Sequence, residues 1–434
     1  MITEDKKVTT LGVLIWILAS LFFLYEFFLR TFIGTVANQV MNDLTLTVGT
    51  FAWVTSAYYF SYAAMQIPVG ILLDKFGVRK ILIFATSVCA FSSFCFAHSS
   101  NFPLAFLSRL IMGFGSAFGF ICLLVVASNW FPRRYTGVVS GTSQFIGTLG
   151  PILAGGPMVT LLMATSLSWQ RLMDMIGLMG FALAFIMLFV IKNKNRDGKS
   201  ITIYLQRERP ILHYLKTLSK NPQVWFIAAY SGMIYVPMTL LGGVWGIPYL
   251  ESLGFTNAQA ANVISVTWMG YAIGAISFGG ISDRIERRRP VLVFSALMGI
   301  GLVLGMIMFT HQSIYFYTTL FLLLGFSSAG QTVAFSVIAE HVDLATKATA
   351  MGINNTSITL LSSFTPIAAG YLIHAMHTGD PATLLPRDFF SSFMIMPILS
   401  AIAGTIAIFF IKETYCKYQK DPIYLKVDYK TEAG

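Results

Sequence analysis

The sequence predicts an all-α integral membrane protein: twelve transmembrane helices arranged as two pseudo-symmetric six-helix bundles. Three observations carry that expectation. Of its 434 residues, 56% are hydrophobic and only 11% charged, against about 25% charged in a soluble domain. Apolar runs long enough to cross a bilayer, roughly 20 residues each, follow one another along the chain. And a charged loop, "GILLDKFGVRK" from Gly70 to Lys80, returns in the second half as "GGISDRIERRR" from Gly279 to Arg289.

In order, the runs are 11–37, 51–73, 81–98, 102–131, 136–164, 170–191, 223–248, 259–281, 290–310, 314–339, 346–374 and 389–411. The first is longer than a signal-peptide core and has no small-residue cleavage pattern, so it reads as a retained span. Pro68, Pro151, Pro237, Pro366 and Pro397 interrupt the runs. Membrane helices tolerate this where neighbours satisfy the freed backbone groups. Pro237 with Gly242 and Gly243 predicts a kink in the seventh span. The longest polar interruption, Lys192 to Pro222, divides the spans six and six. The expected organisation is an N-terminal bundle over 1–195, a cytoplasmic linker over 196–222, a C-terminal bundle over 223–415 and a cytoplasmic tail over 416–434. Within the linker, "YLQRERPILHYLKTL" reads either as a short interfacial helix or as a plain basic connection.

Orientation follows from the basic residues. With the N-terminus inside, every Lys and Arg of the 29 falls on the cytoplasmic side except Arg30, Arg109, Arg171 and Arg387. That distribution accounts for the net charge of +10 through topology and anionic headgroups, and it excludes nucleic acid as a partner. Both termini are expected in the cytoplasm, in a bacterial inner (plasma) membrane. The four Cys have no paired spacing and the six His are scattered, so neither a disulfide scaffold nor a metal site is expected. No GxxxxGK[ST] loop occurs, so ATP-driven pumping finds no support. No nucleophile–base set points to an enzyme, and no cofactor is implied.

The two charged loops correspond position by position. Gly70, Asp74, Lys75, Arg79 and Lys80 match Gly279, Asp283, Arg284, Arg288 and Arg289, with Glu286 standing where the first copy has Gly77. Duplication of this kind is how secondary transporters are built. From about Leu11 to Glu413 the chain resembles the major facilitator superfamily. The first loop matches that family's signature between spans two and three, and "RLIMGFGSA" (Arg109, Gly113, Gly115) is similar to its span-four motif. The resemblance implies two bundles rocking about a central cavity, in a protein that is usually monomeric. It also implies that Gly70, Asp74, Gly77, Arg79, Asp283 and Arg284 form a conformational latch, with Asp74 beside the start of span eleven and Asp343 near that helix's N-cap.

Charged groups inside spans are expensive and therefore candidates for function. Glu26 and Arg30 are four apart, on one face of one helix. Arg109 lies within span four. The bland reading is an interhelical ion pair that fixes packing. The functional reading gives the guanidiniums a carboxylate or phosphate to bind, and makes Glu26 the proton-coupling group or the partner of a substrate amine. Tyr58, Tyr62, Gln66, Tyr230, Tyr235, Gln331, Asn354 and Asn355 are further candidates for the pocket, each weighed against ordinary packing.

Among branches of the family, "RTFIGTVANQVMNDL" and "NWFPRRYTGVVSG" resemble the anion:cation symporters, which typically have Glu where Ser116 stands here. "YEFFLR" with "GGVWGIPYLESLGFTNAQAA" is similar to the bacterial intraphagosomal amino-acid and nucleoside transporters. The expectation is a proton symporter of a small polar solute, an amino acid or related metabolite. The alternatives are an organic-anion symporter, a siderophore or drug exporter, and a nutrient sensor without flux. The exporter reading rests on "GTLGPILAGG", which also reads as a bent, closely packed helix.

Overall fold

The computed structural model describes residues 8–66, 68–131, 136–192, 211–310, 312–343, 346–377 and 384–416. Residues 196–210 of the linker, the tail beyond 416 and the side chains of Gly70 and Asp74 lie outside that set. In chain order the helices are α1 (Thr10–Thr35), α2 (Ala37–Asp43), α3 (Val48–Met65), α4 (Pro68–Ala97), α5 (Phe102–Ser116), α6 (Gly119–Trp130), α7 (Thr136–Ala154), α8 (Gly156–Thr165) and α9 (Trp169–Val190). The second half adds α10 (Ile211–Ser219), α11 (Pro222–Thr239), α12 (Gly246–Ser252), α13 (Asn257–Arg284), α14 (Arg289–Met308), α15 (Ile314–Ser328), α16 (Gly330–Glu340), α17 (Lys347–Met376), α18 (Phe390–Phe393) and α19 (Ile395–Thr405).

Among the described residues, ten segments are long and apolar enough to cross a membrane, or up to eleven if the bent pair α7–α8 counts as one. The fold is thus all-α and multi-pass, with fewer clearly apolar spans than the twelve runs read from sequence. The shortfall has a physical cause. The run at 51–73 corresponds to α3 and the start of α4, and α3 carries Thr55, Ser56, Tyr58, Tyr59 and Tyr62, all buried. A helix surrounded by other helices need not be apolar on every face, because its polar groups meet protein rather than lipid.

Several spans begin at side-chain caps. Thr9, Thr47, Asn101, Ser168, Asn221, Thr256 and Ser313 each accept a backbone N–H from the first turn of α1, α3, α5, α9, α11, α13 and α15, satisfying donors that lipid cannot. The kink expected near Pro237 appears as a π-helical turn over Leu240–Trp245, the wider turn that often breaks a functional helix. The basic linker forms a short helix, α10, whose His213, Lys216 and Thr217 are exposed and whose Leu218 is buried.

The halves of the chain meet through α3 and α17, and through α7 and α8 against α13. Glycine makes the second contact close. A Cβ on Gly155 would lie 2.9 Å from the Ala261 carbonyl, and Gly156 N–H donates to Ser265 Oγ at 2.8 Å. The "GTLGPILAGG" stretch therefore bends by 41° between α7 and α8 and lets the opposite half approach. Near the same end, Gly34 abuts the Gly243 backbone and Asn38 Nδ2 donates to Glu251 Oε2 at 2.5 Å. These ties join the two halves at the end of the molecule away from the charged loops.

Candidate functional site

The site is built on α1. Arg30 Nη2 donates to Glu26 Oε2 at 3.0 Å and to Oε1 at 3.3 Å. Tyr58 of α3 donates to Glu26 Oε2 at 2.7 Å and to the Glu26 carbonyl at 3.2 Å. Glu26 is wholly buried, so its ionised form depends on these donors. The Arg30 guanidinium lies 4.1 Å from the Phe27 ring centroid and 4.6 Å from that of Tyr62, which fixes its plane from two sides. Glu26 occupies Nη2 alone. Arg30 Nε is buried with no hydrogen-bond partner.

Arg109 supports this arrangement from behind. Its Nη1 donates to the Leu29 carbonyl at 2.8 Å and its Nη2 to the Arg30 carbonyl at 3.4 Å, while its guanidinium lies 4.9 Å from the Tyr58 ring. Gly113 in the same motif lets α5 touch α3, since a Cβ there would lie 2.0 Å from the Tyr58 carbonyl. Arg109 thus ties α5 to the turn of α1 that presents Arg30. Ser116, where the anion:cation branch carries Glu, also belongs to this cluster. It neighbours Tyr58 and lies 3.5 Å from Cys89 Sγ.

A cavity of about 340 Å³ separates the halves in front of Arg30. From the first half Arg30, Tyr59, Tyr62 and Gln144 line it, and from the second Tyr235, Tyr271, Gln331 and Asn355. Tyr271 OH donates to Gln331 Oε1 at 2.7 Å, and Asn355 Nδ2 donates to Gln66 Oε1 at 2.7 Å. Leu124, Gln144, Phe335 and Met351 extend the lining along α6, α7, α16 and α17 toward the end that carries the charged loops.

Of the sequence candidates, Arg30, Tyr62, Tyr235, Gln331 and Asn355 stand on the cavity wall. Glu26, Tyr58 and Arg109 lie behind it. Tyr230 is in the core of the second half, donating to the Leu292 carbonyl at 2.8 Å. Asn354 is fully buried off the wall, with neither side-chain polar atom bonded. Sequence reasoning missed Tyr59, Gln144 and Tyr271 as wall residues. Their signal was a polar group inside an apolar run, which many packing residues share.

The charged loops are both sharp turns. Gly77 breaks α4 with φ 74 and ψ 160, a region essentially reserved for glycine. Glu286 turns at φ 52. Arg79 Nη2 donates to the Leu188 carbonyl at 2.7 Å. Asp283 is exposed and binds Arg288 Nη1 at 2.6 Å, Arg284 is exposed, and Arg288 Nη2 meets Glu340 at 2.7 Å. Burial opposes the Arg288 charge, but Glu340 and Asp283 hold its pKa above the ordinary arginine range. Burial likewise opposes ionisation of Glu413, but the backbone N–H groups of Arg288, Arg289, Tyr415 and Thr414 outweigh it and keep the carboxyl below its usual value. The helix cap next to Asp343 is Thr346, which accepts no side-chain cap bond and instead donates to the Asp343 carbonyl.

A model of the Major Facilitator Superfamily matches residues 15–242 and 231–421. The chain is 23% identical to a probable sulfoacetate transporter of Cupriavidus necator, over 91% of this chain and 96% of that one. It is 23% identical to a probable galactarate/D-glucarate transporter of Escherichia coli K12, over 81% and 86%, and 22% identical to a hexuronate transporter of Bacillus subtilis, over 87% and 93%. Among solved structures, a bacterial homologue of the human lysosomal transporter Spinster superposes with a TM-score of 0.75 at 15% identity, covering 92% of this chain and 97% of the other. A nucleoside transporter superposes with a TM-score of 0.70 at 16% identity, covering 92% and 98%.

Proposed function

Because the chain belongs to the Major Facilitator Superfamily, a family of transporters rather than enzymes, we propose that it is a secondary active carrier of a small organic anion of the sugar-acid kind, working by alternating access. The observation that carries this reading is Arg30: a cation on the cavity wall whose Nε has no partner. A carboxylate in the cavity matches the Arg30 guanidinium in charge and in geometry. The relatives named for galactarate or glucarate, hexuronate and sulfoacetate transport all handle organic acids by name.

An amino acid fits less well. Its ammonium needs a free carboxylate, and Glu26 is committed to Arg30 and Tyr58 behind the wall. Glu26 takes the coupling role instead. When a substrate anion engages Arg30, Glu26 loses part of its counter-charge and takes up a proton. When the proton leaves, the Glu26–Arg30 pair re-forms and the anion is released. We assign the twelve runs to two six-helix bundles, 1–195 and 223–415, joined by the linker 196–222, with the tail 416–434. Both termini lie in the cytoplasm of a bacterial inner membrane, and the carrier acts as a monomer. Closure away from the charged loops then makes this the inward-open state.

The test is uptake into proteoliposomes under an imposed pH gradient, screening sugar acids, amino acids and nucleosides. Sugar-acid accumulation lost in Arg30→Gln, with Glu26→Gln still exchanging substrate but no longer accumulating it, is the expected result. Gradient-driven amino-acid uptake that survives Arg30→Gln overturns the reading.

A further inference from the structure

We infer that the cavity selects monoanions: a single carboxylate on a polyhydroxylated body, in preference to a dicarboxylate of the same length. The inference rests on the organic-anion reading above and narrows it toward acids of the hexuronate kind, away from the dianions galactarate, glucarate and sulfoacetate that other relatives are named for. Among the described residues that line the cavity, Arg30 is the one cation. Arg109, the other buried guanidinium nearby, spends Nη1 and Nη2 on carbonyls of α1 and lies off the wall. One guanidinium on the wall offers the counter-charge for one carboxylate.

The opposite wall is neutral. Gln331, with its Oε1 already bound by Tyr271, Asn355, held by Gln66, and Tyr235 face the space across from Arg30, next to Phe335 and Met351. Hydroxyl groups of a substrate can trade hydrogen bonds with these amides and phenols. A second carboxylate placed there has no counter-charge, and burying an unpaired charge is costly. Volume does not limit the choice, since 340 Å³ lies within the usual range for small-molecule sites.

The experiment is competition in proteoliposomes between D-glucuronate, D-glucarate and the uncharged sugar D-glucose, each against one labelled monocarboxylate sugar acid. We expect glucuronate to compete at least about tenfold better than glucarate. We also expect Gln331→Arg, which adds a cation to the neutral wall, to narrow or reverse that preference. Ligand-induced thermal stabilisation of wild-type protein in detergent gives the same ranking, so the inference stays testable if the variant fails to fold. Equal competition by the two acids in wild type, with glucose inert, overturns monoanion selection and leaves the organic-anion reading standing. Competition by glucose as strong as by either acid overturns both.

Discussion

The two charged loops turn at equivalent positions and differ in their chemistry. Both turn through positive φ, at Gly77 in the first copy and at Glu286 in the second. Both set an arginine on carbonyls where the last span of their own half ends: Arg79 on Leu188, and Arg289 on Ala407 and Ile408. Such carbonyls lack helical partners and attract cations. There the likeness stops. In the second copy Arg288 is buried between Asp283 and Glu340, Thr414 Oγ1 donates to Glu340 Oε2 at 2.5 Å, and Glu413 accepts the N–H groups of Arg288 and Arg289 that open α14. Arg79, in contrast, is exposed. The turn is the shared element, and the side chains decide whether it is welded to its own half. The second loop is thus an internal brace of its own half.

The sharpest way to break this comparison is to remove one charge from the brace. Glu340→Gln leaves Arg288, 9% exposed, without its buried counter-charge. We expect a loss of about 3–5 kcal/mol, read as a large drop in thermal stability in detergent. Arg79→Ala should cost under about 1 kcal/mol, as an exposed interaction does. Equal losses in the two would erase the distinction between the buried brace and the exposed arginine.

The turns themselves give an intermediate effect. Gly77→Ala forces a β-carbon into the glycine-only region and should cost about 1–3 kcal/mol, with transport falling alongside stability. Glu286→Gly should be neutral or slightly stabilising, because it relieves a left-handed residue while adding chain entropy to the unfolded state. A destabilised Glu286→Gly protein would mean that the side chain, rather than the turn, matters there.

A small, pH-dependent effect concerns Glu413. Its folded pKa lies below the ordinary value of 4.5, so its ionised cap contributes stability above that pH. The contribution is lost as pH falls through the depressed folded value. At neutral pH, Glu413→Gln should cost about 0.3–1 kcal/mol, the usual worth of an anion at a helix N-terminus. The difference from wild type should shrink below pH 4.5 in thermal melts. A gap that stays constant down to that range would show that the cap works without its charge.

Much of the architecture was legible in the sequence. The apolar runs located ten or eleven spans among the described residues, with 51–73 the run that does not qualify, and Pro237 with its glycine pair located the break in the seventh. The repeat of Asp74 and Arg79 as Asp283 and Arg288 exposed the duplication. Glu26 and Arg30, four apart in an otherwise apolar helix, announced a buried pair. What the sequence missed lies in Glu340 and Glu413. Each reads as an ordinary charge at the end of a run, and only the folded second half brings both to Arg288.

Sequence by itself determined that this is a multi-pass helical membrane protein of a transporter family, with one charge pair at the heart of its first helix. Tertiary structure decided which polar residues face the cavity. Arg30 does and Glu26 does not; Asn355 does and Asn354 does not; Tyr235 does and Tyr230 does not. The reason is physical. In a soluble helix the apolar stripe marks the buried face, but in a membrane both lipid and protein interior are apolar. Periodicity then says little about which side looks inward, and that choice falls to close packing against neighbouring helices. Gly113 against Tyr58 and Arg109 against the carbonyls of α1 set the rotation of α1, and with it the direction in which Arg30 points.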